Sequence, residues 1–292
     1  MVAGQPRACF CQLPAGRRRD GEREGGTDMS GLAIGEAIAR IQREAGVKPE
    51  EGTVDTLKTG DPTQPLRGVL VCFTATADVI RAAAASGANL IVTHEPTWYN
   101  HRDETDGLED DPVYRAKRAL VDEHGIAIWR FHDDWHRRRP DGIQEGMLRR
   151  LGWPAPTDGG HGAVVQLPEQ TVRELAAQLK ERLGVPYVRV VGDPDWTVSR
   201  IAMQVGAPGG ERQLRAAARD DVDAVLCGET VEWMTCEYVR DAALLGRRRA
   251  LLVVGHFHSE AAGMEHLADW IAPLLGGAPV AYAPSGDPYR YL

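Results

Sequence analysis

The chain contains an internal repeat, and this repeat limits the possible folds more than any other feature of the sequence. When Arg215 is set on Arg81, the stretch RAAARDDVDAVLCGE lies without a gap over RAAAASGANLIVTHE. In each copy an Ala-rich helical stretch leads into a short apolar stretch that predicts a buried strand. The shared order of small, polar and apolar residues favours duplication over chance similarity between two Ala-rich helices. The sequence therefore predicts an α/β protein with two similar lobes.

The first copy lies inside a strand–helix–strand unit. Its predicted strands are GVLVCF and NLIVTH, and the helix between them ends at Gly87, a residue that suits a left-handed C-cap. Because a helix joins the two strands, they should run parallel in one sheet. An acidic stretch over residues 101–112 predicts an exposed loop, and it is followed by a helix over 113–125 and a strand over 126–131.

The second copy lies in a similar series of elements. The stretch PEQTVRELAAQLKERLG predicts an amphipathic helix with Pro168 and Glu169 near its start. After it we expect the strands YVRVV and RIAMQV, the helix ERQLRAAARD and the strand DAVLCG. The closing part predicts the strand ALLVVGH, a helix through Trp270 and the short strand PVAYA.

The domain organisation follows from composition and from the repeat. Residues 1–28 are rich in Gly, Arg and acidic side chains, which predicts a disordered tail. Ordered structure should begin with an amphipathic helix whose apolar residues start at Ile34. The first α/β lobe is expected over 29–155, completed by 250–292, and the second lobe over 156–249. A chain of 292 residues with 43% hydrophobic side chains can bury a large core.

Composition also disfavours several classes of partner. The net charge of −8 argues against a nucleic-acid partner, and no apolar run is long enough to span a membrane. The first thirty residues lack the apolar centre of a secretory signal, so a cytoplasmic location is expected. The five cysteines are scattered and form no CxxC pair, which predicts reduced thiols. Neither a GxxxxGK[ST] phosphate loop nor a GxGxxG fingerprint is present.

Histidine and acidic residues cluster at the ends of three predicted strands. In open parallel sheets ligands gather at the carboxyl ends of the strands. Imidazole and carboxylate together suit Zn²⁺, Mn²⁺ or Fe better than Ca²⁺. A single histidine is more often structural than a ligand, but three strand ends with the same chemistry indicate a metal site. The candidate residues are His94 and Glu95, then His132, Asp133, Asp134 and His136, then His256, His258 and Glu260.

Spacing distinguishes the residues of the last group. His256 and Glu260 are four positions apart at a predicted helix entrance, so both side chains can face one point. His258 is two positions from His256 and should point away from it. We therefore interpret His258 as a surface or packing residue.

At this level of detail the chain resembles a known family. The motifs TGDP, ATADVIRAAAASGANLIVTHEP, IAIWRFHDDWH and GHFHSE occur in the order seen in the dinuclear metal centre hexameric proteins, the Nif-three-like proteins. Members are often labelled homologues of a second type of GTP cyclohydrolase I. The resemblance runs from about Met29 to Leu292. It implies a two-lobed protomer, a homo-hexamer, and two divalent metal ions (Zn, Fe or Mn) in a cleft between the lobes.

The resemblance also implies a ligand set with two departures from the family pattern. The family has two adjacent histidines after the second strand, whereas this chain has His94 and then Glu95. The family's later aspartate ligand aligns with His136, and its closing His and Glu align with His256 and Glu260. The implied metal ligands thus remain three imidazoles and two carboxylates.

An alternative stays open for the third ligand. Asp133 or Asp134 would then bind the metal and His136 would be a bystander.

A metal pair of this kind predicts hydrolysis of a C–N, ester or phosphoester bond in an unknown, nucleotide-like small molecule. His132 and Asp134 are the candidate catalytic residues, which would orient the attacking water or move its proton. A different class of function is also compatible with the sequence: a non-catalytic, metal-binding hexameric platform for protein partners.

Overall fold

The computed structural model of the protein describes residues 31–48, 50–156 and 162–292. The predicted tail, residues 1–28, lies outside these described residues. The helices are α1 (Ile34–Ala45), α2 (Ala77–Ser86), α3 (Pro112–His124), α4 (Asp133–Arg137), α5 (Gly142–Leu151), α6 (Val172–Leu183), α7 (Gly210–Ala218), α8 (Glu237–Leu244) and α9 (His256–Ile271). The strands are β1 (Leu57–Thr59), β2 (Val69–Cys72), β3 (Leu90–Thr93), β4 (Ala127–Arg130), β5 (Val164–Thr171), β6 (Arg189–Val191), β7 (Thr197–Gln204), β8 (Ala224–Cys227), β9 (Ala250–Val253) and β10 (Val280–Tyr282).

The chain divides into two compact units, each with its own sheet. The first unit comprises the described residues up to Asp134 together with Ala268–Ser285, and the second comprises Trp135–Leu267 and Gly286–Leu292. These boundaries differ from the expected lobes. The expectation placed residues 135–155, 250–267 and 286–292 in the first lobe, whereas the structure places them in the second unit. Strand β9 belongs there because it pairs with β8.

The first unit contains a five-stranded sheet in the order β1-β4-β3-β2-β10. Strands β2, β3 and β4 are parallel, as expected for strand–helix–strand connections, and Cys72 pairs with Thr93. Strand β10 adds a further parallel strand, and β1 closes the other edge in the antiparallel direction. Every residue of β2, β3 and β4 is buried, which explains their continuous apolar sequences.

The second unit repeats the centre of this sheet. Its strand order is β5-β7-β8-β9-β6, with β7, β8 and β9 parallel and both edge strands antiparallel. Strands β3 and β8 coincide residue for residue under the offset of 134 that sets Arg215 on Arg81. The preceding helices, α2 and α7, also overlap under that offset. The prediction of an α/β fold with two similar lobes is confirmed.

Local sequence signals explain the ends of several helices. Gly46 and Gly87 end α1 and α2 with φ angles of 66° and 79°, in the left-handed region that glycine tolerates. Helix α3 begins after Asp111, whose carboxylate accepts hydrogen bonds from the amides of Val113 and Tyr114. Among the described residues, no helix has the length and apolar composition to cross a membrane.

The expected start of helix α6 is wrong. Pro168 and Glu169 lie in strand β5, and the helix begins at Val172. The Thr171 side chain accepts a hydrogen bond from the Glu174 amide, and the Glu174 side chain accepts one from the Thr171 amide. This capping box fixes the helix start. The proline is tolerated in β5 because the ladder with β7 is irregular between Gln166 and Gln170, and β5 is an edge strand.

A partly exposed ion pair between Arg200 and Asp223 lies just before the start of β8. Asp223 Oδ2 accepts hydrogen bonds from the backbone amides of Ser199 (3.0 Å) and Arg200 (2.9 Å). Asp223 Oδ1 accepts a 2.6 Å hydrogen bond from the Arg200 guanidinium. Burial alone would raise the pKa of Asp223, but these hydrogen bonds outweigh it and lower the pKa to about 2.

We expect the Asp223→Asn variant to be less stable than the parent at pH 7. Because the folded-state pKa of Asp223 lies below its unfolded value, its contribution is complete above about pH 4 and is lost as the pH falls toward 2. Urea unfolding from pH 7 to pH 3 should show the difference between the variant and the parent shrinking. Asp195→Asn, in the exposed pair with Arg173, is the control and should change little. A difference that stays constant with pH would contradict this account.

Candidate metal centre

His94 directly follows β3 and is fully buried. Its Nδ1 atom lies 3.4 Å from the carbonyl oxygen of Phe131. Since a carbonyl oxygen only accepts hydrogen bonds, Nδ1 is the donor in this contact. The lone pair of the ring is then on Nε2, which is the form of imidazole that binds metal ions.

His132 follows β4 and is oriented by its neighbour. Its Nδ1 donates to Asp133 Oδ1 over 2.9 Å, while Asp133 Oδ2 accepts from Thr53 Oγ1 and from the Val54 amide. The hydrogen bond from His132 is the largest cause that lowers the pKa of Asp133 well below its usual range, against the effect of burial. Asp133 is therefore a carboxylate that orients His132 with its Nε2 lone pair available.

The first unit brings His94, Glu95 and His132 together. The rings of His94 and His132 have centroids 4.5 Å apart. A ring nitrogen of His94 lies within 4.8 Å of one in His132, and within 4.8 Å of a Glu95 carboxylate oxygen. We call these three residues the first-unit cluster. The other candidate catalytic residue, Asp134, is buried on α4.

Asp55 supports this cluster, and the sequence analysis did not find it. One carboxylate oxygen accepts hydrogen bonds from the amides of His132 (2.7 Å) and Asp133 (2.9 Å), and the other accepts from Asp134 (2.8 Å). Asp55 thus accepts hydrogen bonds from the amides at the start of α4, which have no acceptor within the helix. Burial raises its pKa, although these same hydrogen bonds act to lower it. No local signal identifies this role, because Asp55 is more than seventy residues from its partners in the sequence.

His136 lies on α4 and is oriented by a helix cap. Asp141 Oδ1 accepts hydrogen bonds from the amides of Ile143 and Gln144, so it caps α5. The other oxygen of Asp141 lies 3.1 Å from His136 Nδ1. With Nδ1 donating to this carboxylate, His136 presents the Nε2 lone pair, and Nε2 lies 3.7 Å from Glu260 Oε1.

Glu260 is a carboxylate on α9 that is only 2% exposed. Its Oε2 atom lies 3.0 Å from His256 Nε2, so the four-residue spacing does bring these side chains together. The other ring nitrogen of His256, Nδ1, lies 2.9 Å from Glu229 Oε1. We call His136, His256 and Glu260 the second-unit cluster.

Two glycines make room for the second-unit cluster. A Cβ atom on Gly206 would lie 2.1 Å from Glu260 Oε1, and one on Gly228 would lie 2.4 Å from Ser259 Oγ. The Ser259 hydroxyl accepts a hydrogen bond from the Gly206 amide and donates one to the His256 carbonyl. The turn over residues 205–210, VGAPGG, therefore packs against the first turn of α9.

His258 does not join the second-unit cluster. Its Nε2 atom lies 2.9 Å from Asp287 Oδ2, in the closing segment of the chain. This contact agrees with the interpretation of His258 as a packing residue.

The residues present fit a divalent transition metal. His94, His132 and His136 each use Nδ1 for a hydrogen bond to a carbonyl or carboxylate oxygen. This is the arrangement that orients metal-binding histidines, because it leaves Nε2 as the ligand atom. Glu95 and Glu260 add carboxylate oxygens. Imidazole with carboxylate is the donor chemistry of zinc, iron and manganese sites.

Fold and side chains together define a duplicated α/β protein with histidine and carboxylate side chains suited to a metal ion. The profile of the Duf34/NIF3 (NGG1p interacting factor 3) family matches residues 50–278. The chain therefore belongs to the Duf34/NIF3 family, and the resemblance noted from the motifs is confirmed.

Individual relatives agree with this assignment. A Clostridium perfringens protein named "GTP cyclohydrolase 1 type 2 homolog" is 27% identical over 240 residues, which cover 78% of this chain and 87% of the relative. The structure of a Bacillus cereus protein related to NIF3 matches with a TM-score of 0.74 and 17% identity, over 90% of this chain and 100% of that one. A Staphylococcus aureus hypothetical protein gives a TM-score of 0.73 with the same identity and the same coverage. Because both structures are only 17% identical to this chain, they show that the fold is shared.

We expect Asp55→Ala to destabilise the protein by at least about 2 kcal/mol, because it leaves up to three amides at the start of α4 without their acceptor. Urea unfolding at pH 7 measures the free-energy change. Asp61→Ala removes an exposed carboxylate that accepts hydrogen bonds from Thr63, and it serves as the control that should change stability little. Equal stability of Asp55→Ala and the parent would show that Asp55 does not hold α4.

Proposed function

We propose that the protein binds two divalent metal ions, Zn, Fe or Mn, through His94, Glu95, His136, His256 and Glu260. The observation that carries the proposal is the second-unit cluster. There, the Nε2 atoms of two histidines lie 3.7 and 3.0 Å from the two oxygens of one buried carboxylate. A buried carboxylate requires a nearby positive charge or several hydrogen-bond donors. A divalent cation bound by the Nε2 atoms and the carboxylate oxygens, in place of the proton that His256 Nε2 donates to Glu260, would satisfy this requirement.

The first-unit cluster contains the other two proposed ligands, His94 and Glu95. His94 and Glu95 are adjacent in sequence, and a donor atom of each lies within 4.8 Å of the other. His132 is close enough to His94 to be a further ligand. We assign it the role of proton carrier, because it is partly exposed and Asp133 keeps its Nε2 lone pair available. We also assign Asp134 the role of orienting the attacking water.

The proposed reaction is metal-dependent hydrolysis of an ester, phosphoester or C–N bond. Bound divalent ions would lower the pKa of a water molecule and stabilise negative charge that develops on the substrate. A nucleotide-like substrate is proposed on the basis of relatives named "GTP cyclohydrolase 1 type 2 homolog". The protein's own residues would fix the ligand histidines through Asp141 and Phe131 and move a proton through His132.

A second function is supported by the family description. The words "NGG1p interacting factor 3" name an interaction with another protein. A homo-hexamer that binds metal without catalysis and presents a surface to protein partners is therefore the alternative proposal.

The metal content of the purified chain tests the proposed ligands. We expect about two equivalents of divalent metal per chain, the number required by a two-metal site. Glu95→Ala and His136→Ala should each lower the content, because each removes one donor from the proposed set. His124→Ala, at the end of α3, is the matched histidine control. Parent-like metal content in both ligand variants would reject these two ligands.

Asp141→Asn tests how His136 is oriented. The asparagine oxygen can still cap α5, but its amide group would then donate toward Nδ1 and move the histidine proton to Nε2. We expect the metal affinity to fall about 10- to 100-fold. Asp111→Asn changes an equivalent cap on α3 and should leave the affinity unchanged. A metal titration with equal affinity for both variants would contradict the orientation argument.

A hydrolysis screen separates the two functions. The metal-loaded parent and the metal-loaded Glu260→Gln variant are compared for hydrolysis of nucleotides, phosphate esters, carboxylate esters and amides. Light scattering measures the size of the oligomer. Activity that is lost in Glu260→Gln supports the hydrolase. A hexamer that binds metal and hydrolyses nothing in the screen favours the platform.

A further inference from the structure

The second unit contains a cavity that the proposed metal function does not use. Its volume is about 280 Å³, near the lower end of the range for small-molecule sites. The cavity lies between one face of α7 and the end of strand β7. Its lining residues are Gly162, Gln204, Arg212, Arg215, Ala216 and Arg219.

Three arginines give this cavity a basic wall. Arg212, Arg215 and Arg219 follow a spacing of three and four residues, so they lie on one face of α7 and its C-terminal end. Arg215 is 3.7 Å from Glu211 in an exposed pair, which a competing anion can displace.

The other two guanidinium groups differ in their surroundings. Arg219 is fixed by two hydrogen bonds to Asp221. Within the described part of the chain, Arg212 has no acidic partner.

Gln204 provides an independent sign of a ligand. It is the last residue of β7, it is only 6% exposed, and its side chain lines the cavity. Its amide makes no hydrogen bond with any residue that the structure describes. Gly162 lies directly against it, since a Cβ there would be 2.4 Å from Gln204 Nε2. Because the side chain lines the cavity, its amide can donate hydrogen bonds to a bound molecule and accept them from it.

The first repeat lacks these features, so the repeat fold does not need them. Under the offset of 134, the three arginines correspond to Asp78, Arg81 and Ala85. Gln204 pairs with Cys227 in the second sheet as Cys72 pairs with Thr93 in the first. The equivalent of the buried amide is therefore a buried thiol. The basic face and the amide are specific to the second unit.

We propose that this cavity binds a small phosphate monoester. Guanidinium groups bind phosphate oxygens through charge-assisted, often bidentate hydrogen bonds. Arg212 and Arg215 hold the phosphate, and the amide of Gln204 hydrogen-bonds the remainder of the molecule. The site is separate from the proposed metal ligands, and its occupancy does not depend on metal.

Calorimetric titration of the chelator-treated full chain tests the proposal. AMP and inorganic phosphate are the probes, and metal removal ensures that phosphate–metal contacts do not contribute. We expect saturable binding of AMP, tighter than that of inorganic phosphate, and weaker binding at high salt. Arg212→Ala and Arg215→Ala should each weaken AMP binding about tenfold.

Two further variants sharpen the test. Arg81→Ala removes the counterpart of Arg215 in the first repeat and should bind AMP as the parent does. Gln204→Leu should weaken AMP more than inorganic phosphate, and its circular dichroism spectrum checks that it folds. Absence of saturable AMP binding in the parent overturns the proposal. AMP affinity equal to that of the parent in both Arg212→Ala and Arg215→Ala also overturns it. Both arginines are exposed, so these variants should fold. Inorganic phosphate binding as tightly as AMP would reject the monoester in favour of the free anion.

Discussion

The proposed metal site depends on the contacts between the buried carboxylate of Glu260 and two histidines. The two oxygens of Glu260 face the Nε2 atoms of His136 and His256. A buried carboxylate between two imidazoles is a poor packing element but a good set of metal donors. The surrounding structure is arranged around it: glycine is required at Gly206 by the closeness of Glu260, and Asp141 determines which nitrogen His136 presents.

The duplication explains how one chain carries two sets of donors. Both units place a strand end beside an acidic residue, with His94 and Glu95 in the first repeat and Gly228 and Glu229 in the second. In the second unit the histidine comes instead from the next strand end, where His256 begins α9 and contacts Glu229. The conserved element of the two units is therefore the sheet geometry, and the donor positions have diverged.

The sequence predicts the features that local chemistry determines. The repeat, the parallel strands and the Gly46 and Gly87 caps depend on residues close in sequence, as does the spacing of His256 and Glu260. The sequence could not assign β9 to its sheet, because a buried apolar strand does not specify its partner. Helix α4 was missed because it is short and its amides are satisfied by Asp55, far away in the chain. The start of α6 was misplaced because Pro168 also suits an irregular edge strand.

Anomalous X-ray diffraction from crystals of the zinc-loaded protein tests the central claim most directly. The account predicts strong zinc peaks about 2.0–2.2 Å from the Nε2 atoms of His136 and His256 and from an oxygen of Glu260. Zinc bound only at surface residues, or Nε2 atoms that keep their contacts with Glu260 in zinc-saturated crystals, would contradict it.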